Sequence, residues 1–548
     1  MQARVFVVLS MLAATIAGSA QRPLLDPADA VFVNGKVVTV DERFSTQQAF
    51  AVRGERFVAV GTNADIRALA GPTTRVVDLR GRTVIPGLTD NHDHVYSSAK
   101  VMLRGVSMDG VTSAAEALDR IREAVAKAKP GDVVFTTTLP LPPNAPGPTI
   151  QDLDRISTQI PIVVVRGRRG NAQLNTAALA RAGITKDTTT FGGKPLLRDA
   201  NGALTGAETG STTDRFPVGL VLLDTVIPPM SDDEEETILK KALARRNELG
   251  LTSLRDLTVF PAGMRAYFRL WKKHQLSVRV SLGMDLPDAD RLDDTLAAWG
   301  VGSGFGDAWL RLDSISEDPT PTVVDARTFT AIALTANRYG WRLAPHLGDE
   351  ASLNVTLDAY EAADRASSIH DKRWVVEHAA SATPDQMDRL ARLEVMVSAS
   401  ATRYYATIPA DVDAAQRARL ERLTPMREFL DHRLIVTAGS DYLGVPGSLD
   451  NPFISFYFFV TRRNRTGDVL GPLQKITREE ALRVLTVNYA YTTFDEGMKG
   501  SIQPGMLADF LILSNDLLTV PEDQILSVHP LATYVGGRKV FAMEGSGF

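Results

Sequence analysis

The chain of 548 residues contains no cysteine. That absence removes disulfides, thiolate nucleophiles, iron–sulfur clusters and any zinc site built on thiolates. A metal, if one is used, must be held by His, Asp, Glu or a modified Lys, and only eight histidines are present to help. Basic charge is not in excess: 60 Lys and Arg stand against 65 Asp and Glu, a formal charge of −5, which argues against a nucleic-acid partner. Beyond the N-terminus no apolar run reaches the roughly 20 residues of a membrane span. No G-x-S-x-G occurs, so the nucleophile elbow of serine hydrolases is missing. What remains is an ordinary globular composition, 44% hydrophobic and 23% charged, in a chain long enough for more than one core.

Residues 1–20, MQARVFVVLSMLAATIAGSA, carry one basic residue at Arg4, an apolar run from Val5, and small residues at Gly18 and Ala20. The pattern reads as a secretory signal peptide cleaved after Ala20, which predicts a periplasmic or secreted protein. The run is shorter than a membrane anchor and no cysteine follows it for lipid attachment.

From Ala30 the chain reads as short alternating strands broken by turn dipeptides such as Asn34-Gly35 and Arg53-Gly54. The same texture returns in SIQPGMLADFLILSND and ATYVGGRKVFA near the C-terminus. Each piece is too small to close a core, so the two, at 28–85 and 496–548, are expected to complete one sheet domain together. The intervening 86–495 alternates apolar strands with helical stretches. Eight strands are counted: Val84 to His94, Leu251 to Asp256, Val278 to Leu282, Trp309 to Asp313, Trp341 to His346, Trp374 to His378, Val395 to Ala399, and Leu434 to Asp441. Eight βα units predict a TIM-like (β/α)8 barrel of the α/β class, with its chemistry at the C-terminal strand ends. Residues about 130 to 230, including LPLPPNAPGP, are surplus to the eight and are expected to form an elaborated loop over the barrel mouth.

Four of the eight histidines fall at those strand ends: His92 and His94, His346, and His378; the eighth strand closes on Asp441. Residues i and i+2 of a strand share a face, so His92 and His94 can address one ion. Any one of these histidines is simply read as packed or hydrogen-bonded; the set, gathered at the face where barrels place their sites, points to a divalent metal, most naturally zinc. Such an ion acidifies water and polarises a carbonyl, and Asp441 is the candidate both for ligand and for the base that handles the proton. The plainer role for Asp441 is a cap on the turn after the eighth strand. His274, His370, His432 and His529 read as surface residues. The arginines at 166, 168 and 169, and those at 462, 463 and 465, read as solvated loops, and FISFYFFV reads as core.

The motifs NGKVVTVD, VIPGLTDNHDHV, NTAALARAGI, LGLTSLRDL, APHLGD, VVEHAA, GSDYL and KGSIQPGMLADFLIL, in this order, resemble the amidohydrolase superfamily and, within it, the YtcJ-like, amidohydrolase family 3 branch. The resemblance implies a barrel inserted in a composite β-sandwich, a metal site at His92, His94, His346, His378 and Asp441, and hydrolysis of an amide-type C–N bond in a small substrate, an N-acyl or N-formyl compound. An ester, lactone or amine substrate at the same site, or a ligand-binding barrel with a degenerate site, are the alternatives. Many members carry a carboxylated lysine at the end of the fourth strand that bridges two metals. The window from Gly304 to Thr320 contains no lysine. One ion is therefore expected, with Asp313 or Glu317 as the bridge if there are two. The oligomeric state is left open.

Overall fold

A computed structural model describes residues 26–548 except 142–144, 167–170, 192–193, 209–224, 286–290, 318–319, 322–323, 407–412, 414–418 and 443–448. The signal-like segment 1–20 lies outside the described residues, as do Arg168, Arg169 and the side chain of Arg166. Among the described residues no helix is long and apolar enough to cross a membrane.

The two ends of the chain do share sheets. Thr83–Pro86 pairs antiparallel with Phe510–Leu513, placing N- and C-terminal strands side by side in a six-stranded sheet. A four-stranded sheet of Arg56–Gly61, Ala49–Arg53, Ala30–Val33 and Arg75–Asp78 packs on it. Alternating strand residues send Phe32, Phe50, Phe510 and Tyr534 into the space between, with Phe32 and Phe50 stacked at 4.7 Å and Phe510 and Tyr534 at 4.4 Å.

Eight short parallel strands form the barrel: β1 (Leu88–Asp93), β2 (Leu251–Val259), β3 (Arg279–Met284), β4 (Leu310–Glu317), β5 (Leu343–Pro345), β6 (Val375–Glu377), β7 (Met396–Ser400) and β8 (Val436–Gly439). Strands β1 to β5 pair in order, as do β6 to β8. Parallel bridges between His346 and Glu377 and between Asp93 and Tyr442 join the two arcs into a closed barrel. The first expected strand proves to be two: the sandwich strand Thr83–Pro86 and β1, separated by Gly87, where a side chain would collide with Thr252. The fourth runs four residues further than expected, to Glu317.

The outer helices follow from their caps and apolar stripes. Asp232–Glu248 starts with a capping box between Ser231 and Glu234 and buries Leu239, Ala242, Leu243 and Arg246, one face at i, i+3, i+4 spacing. Pro384–Arg392 begins with Thr383 as cap and proline in its first turn. Pro452–Thr461, the aromatic run, is buried throughout and is core. Arg462, read as solvated, is buried instead: it ends that helix in the left-handed region (φ 57°) and donates to the carbonyls of Leu423, Thr424 and Leu470. Local sequence could not reveal those acceptors, which come from distant turns.

The segment expected as a loop is a folded α/β unit. Its six-stranded sheet runs Thr190–Phe191, Lys194–Arg198, Leu204–Glu208, Asn171–Leu174, Ile162–Arg166, Val134–Phe135. The strand Ile162–Arg166 is buried on both faces, Val163 and Val165 toward one apolar cluster and Ile162 and Val164 toward another.

Barrel and sandwich are tied by a bidentate ion pair. Arg279 of β3 donates to both Asp509 oxygens at 2.7 and 3.1 Å, beneath the Trp309 ring at 4.3 Å, with both side chains buried. Removing one partner strands the other in a low dielectric, so Asp509→Ala is expected to destabilise the protein by about 3–5 kcal/mol. Denaturant unfolding of parent and variant measures it; an unchanged midpoint refutes it.

Candidate metal centre at the barrel mouth

Each strand delivers its residue as it ends. His92 lies on β1 and His94 just beyond it; Glu317 closes β4; His346 follows β5, His378 follows β6, and Asp441 follows β8. Four imidazoles and two carboxylates thus meet at one point. Ring centroids are 5.2 Å apart for His92 and His94, 4.8 Å for His92 and His378, and 4.4 Å for His346 and His378. Two overlapping groups of potential ligand atoms result, His92 with His94 and Asp441, and His92 with Glu317 and His378. Asp441 Oδ1 stands 3.5 Å from His94 Nε2 and 3.6 Å from His92 Nε2. Glu317 faces both ways, Oε1 toward His92 Nε2 at 3.5 Å and Oε2 toward His346 Nδ1 at 3.1 Å.

The imidazoles are oriented from behind. His92 Nδ1 lies 2.8 Å from Glu377 Oε2, His94 Nδ1 lies 2.9 Å from Thr258 Oγ1 and 3.2 Å from the Leu257 carbonyl, and His378 Nδ1 lies 3.0 Å from Ser400 Oγ. In each case Nε2 is turned into the cluster. Such partners are what ligating imidazoles use to fix their tautomer. His92 Nε2 is buried and makes no hydrogen bond among the described residues, an expensive arrangement for a ring nitrogen that a cation, a proton or a metal ion facing the nearby carboxylates, would relieve.

The electrostatics agree. Burial alone would lower the His92 pKa, yet the carboxylates of Glu317 and Glu377 push it up to about 10. Burial likewise opposes ionisation of Glu317, but His346 and His92 hold its carboxyl well below the usual range. The cluster attracts positive charge, and its N and O donors suit a borderline divalent ion such as zinc.

Backbone geometry at the site is unusual. Glu317, His378 and Asp441 have φ of 64°, 71° and 51°, in the left-handed region that side chains other than glycine rarely enter. Each turns the chain inward as its strand ends, and strain of this kind costs on the order of 1–3 kcal/mol per residue. Gly439 allows the last of these turns. A Cβ there would stand 2.4 Å from both the Cβ and the backbone nitrogen of His92.

All five residues expected at the site are brought together. Of the two candidate bridges, Glu317 joins the cluster. Asp313 does not: it lies deeper, its carboxylate paired with Arg255 and Arg342 and bonded by Ser314. Because β4 extends to Glu317, Asp313 is an interior position of the strand, not its end. The other four histidines are elsewhere, His274 and His529 exposed, His370 and His432 half-buried. Sequence reasoning missed Glu377, though a carboxylate inside the apolar VVEH strand was the available signal.

Residues 75–541 match the amidohydrolase family, and the chain belongs to it. Among curated relatives, N-substituted formamide deformylase of Arthrobacter pascens is 26% identical over 94% of this chain and 99% of its own length. The putative amidohydrolase YtcJ of Bacillus subtilis is 22% identical over 93% and 99% respectively. Among solved structures, an uncharacterized metal-dependent hydrolase from Pyrococcus horikoshii superposes with a TM-score of 0.70 at 20% identity, covering 90% of this chain and 99% of that one. The atrazine chlorohydrolase TrzN of Arthrobacter aurescens, complexed with zinc, gives 0.53 at 15%, covering 94% and 95%. These likenesses support the barrel, and membership of the amidohydrolase family makes the chain a hydrolase.

Gly439→Ala is expected to push β8 away from β1 at His92, lowering stability and, in the protein that still folds, the zinc retained after dialysis. Metal analysis beside circular dichroism decides it; full zinc retention would show that the close approach is not needed.

Proposed function

We propose that the protein is an exported amidohydrolase that cleaves the C–N bond of a small N-acyl or N-formyl compound. The observation that carries the reading is the convergence of four imidazoles with Glu317 and Asp441 at one strand-end cluster. The full-length similarity to an N-substituted formamide deformylase supports the choice of bond. A divalent ion held by these residues would supply Lewis acidity, acidifying water to a pKa of about 7 and polarising an acyl oxygen. Asp441, beside His92 and His94, is placed to take a proton from the attacking water and return it to the departing nitrogen. The products are then a carboxylic acid and an amine.

The same reading assigns two ions instead of the single one expected from the missing lysine. Glu317 presents one oxygen to His92 and the other to His346, so it is the residue that would hold both ions. Zinc is the assigned metal because imidazoles dominate the donor set. Metal analysis should find two equivalents per chain, falling to about one in Glu317→Gln; a parent with one equivalent overturns the bridge.

Turnover on matched N-formyl, N-acyl, ester, lactone and amine panels tests the bond. Amide turnover is expected, with Asp441→Asn about 10²–10⁴-fold slower. Faster ester, lactone or amine turnover, or tight ligand binding with no turnover by metal-loaded protein, refutes it. Export rests on the pattern of residues 1–20. Protein recovered outside the cytoplasm should begin at Gln21; recovery only as a cytoplasmic chain beginning at Met1 refutes that part.

A further inference from the structure

The interior of a (β/α)8 barrel is ordinarily filled by branched apolar side chains. Beneath this mouth a layer is charged instead. Arg255 of β2, Asp313 of β4, Arg342 just before β5 and Glu377 of β6 are all buried, with side chains no more than 1% exposed. They form an alternating ladder. Arg342 pairs with Asp313; Arg255 Nε donates to Asp313 Oδ2 at 2.8 Å and Nη1 to Glu377 Oε1 at 2.8 Å; Glu377 Oε2 meets His92 Nδ1 at 2.8 Å. Further guanidinium hydrogens are engaged as well, Arg255 on Ser314 Oγ and the Asn91 carbonyl, Arg342 on the carbonyls of Asp313, Arg373 and Thr492.

Two cations and two carboxylates balance, but burying four ionised groups carries a desolvation cost of several kcal/mol each, and apolar replacements of buried pairs are often neutral or stabilising. Stability alone does not account for the layer. Its upper end does: a carboxylate accepts hydrogen bonds and donates none, so Glu377 requires the proton of His92 to sit on Nδ1. The Nε2 lone pair is then directed between Glu317 and Asp441, where the two donor groups overlap. His94 and His378 rest their Nδ1 atoms on neutral groups, a carbonyl and hydroxyls.

We propose that Glu377, held in place by Arg255, is a positioning residue for metal binding: it locks the tautomer of His92, strengthens Nε2 as a donor, and is itself aimed by the Arg342–Asp313–Arg255 ladder. The proposal rests on the reading of this cluster as a metal site. Its consequence is that metal affinity depends on side chains that touch neither metal nor substrate.

Zinc affinity, measured by chelator competition on the full mature chain, tests this without reference to turnover. Glu377→Gln is expected to bind zinc about 10–100-fold more weakly, with Arg255→Lys weakened to a smaller degree. The cobalt-loaded Glu377→Gln protein should also show displaced visible absorption bands, reporting an altered ligand field. Asp509→Asn, which disturbs a buried Arg–carboxylate pair far from the mouth, should keep the parent's affinity. A folded Glu377→Gln that binds zinc as tightly as the parent overturns the proposal, and so does an equal loss in Asp509→Asn. Should neither mouth variant fold, the zinc-loaded parent labelled with ¹⁵N-histidine decides: His92, identified by the signal missing from His92→Asn, must show a protonated Nδ1, and a proton-free Nδ1 overturns the assignment. A parent that binds no zinc overturns the metal reading and the positioning role with it; a parent that binds zinc beside an unaffected variant overturns the positioning role alone.

Discussion

At the seam where β8 meets β1, the chain closes the barrel and builds the site in one step. The Asp441 N–H donates to the His92 carbonyl at 2.7 Å, and the N–H groups of Ser440 and His92 both donate to the buried Asp90 carboxylate at 3.0 Å. Gly439 lies flat against His92 with no room for a side chain. Without this seam the first and last strands would not meet, and the pair on β1 would have no carboxylate opposite. Burial and the neighbouring Asp93 push the Asp90 carboxyl up to about 7, against the opposing pull of its bonds from Ser440 and His92. The closure is bought with polar groups in an interior that apolar packing would fill more cheaply.

Charge balance runs through the molecule in layers. Beneath the cluster, the arginines of β2 and the pre-β5 turn neutralise Asp313 and Glu377; outside the strands, Arg246 grips Asp93 through two bonds at 2.6 and 2.8 Å and lies 4.9 Å from the Tyr442 ring. Asp93, between His92 and His94, therefore faces away from the mouth and anchors β1 to the helix Asp232–Glu248. The alternation of the strand explains the division: His92 and His94 go to the ion site, Asp93 to the scaffold. At the far end Arg279 repeats the device, locking the barrel to Asp509 of the sandwich.

How far the sequence foretold this can be judged residue by residue. The strand-end positions of His92, His94, His346, His378 and Asp441 were legible because parallel strands are continuous apolar runs and the polar residue at each end stands out. The same rule hid the true end of β4, so that Glu317 could be named only as an alternative to Asp313. After Leu312 the strand continues as Asp313-Ser314-Ile315-Ser316-Glu317, polar enough to look like a loop, because a barrel strand that lines a polar interior loses the apolar signature. It also hid the ladder, since a lone Arg, Asp or Glu in a strand does not reveal its partner when the partners sit 58 and 122 positions away. The segment expected as a loop has strands as short as two residues, too brief for any alternation to register. Gly87 divided two strands where the apolar pattern ran on unbroken, for a tertiary reason, the contact with Thr252.

The absence of a lysine at the end of the fourth strand therefore has a different meaning in three dimensions. A lysine in that position becomes a bridge only after carboxylation, which turns a cation into an anion. Glu317 carries the anionic group from the outset, on a side chain turned inward by its left-handed backbone and set between His92 and His346. In the proposed two-ion arrangement the site's charge is then written entirely in the sequence, with no modification needed before a cation can bind. The cost moves to the backbone, which must hold a residue other than glycine at φ 64°. The pairing of β4 with β5 at Glu317 and Pro345 supplies that restraint, so the residue that bridges the donor groups is also held by the sheet on which it ends.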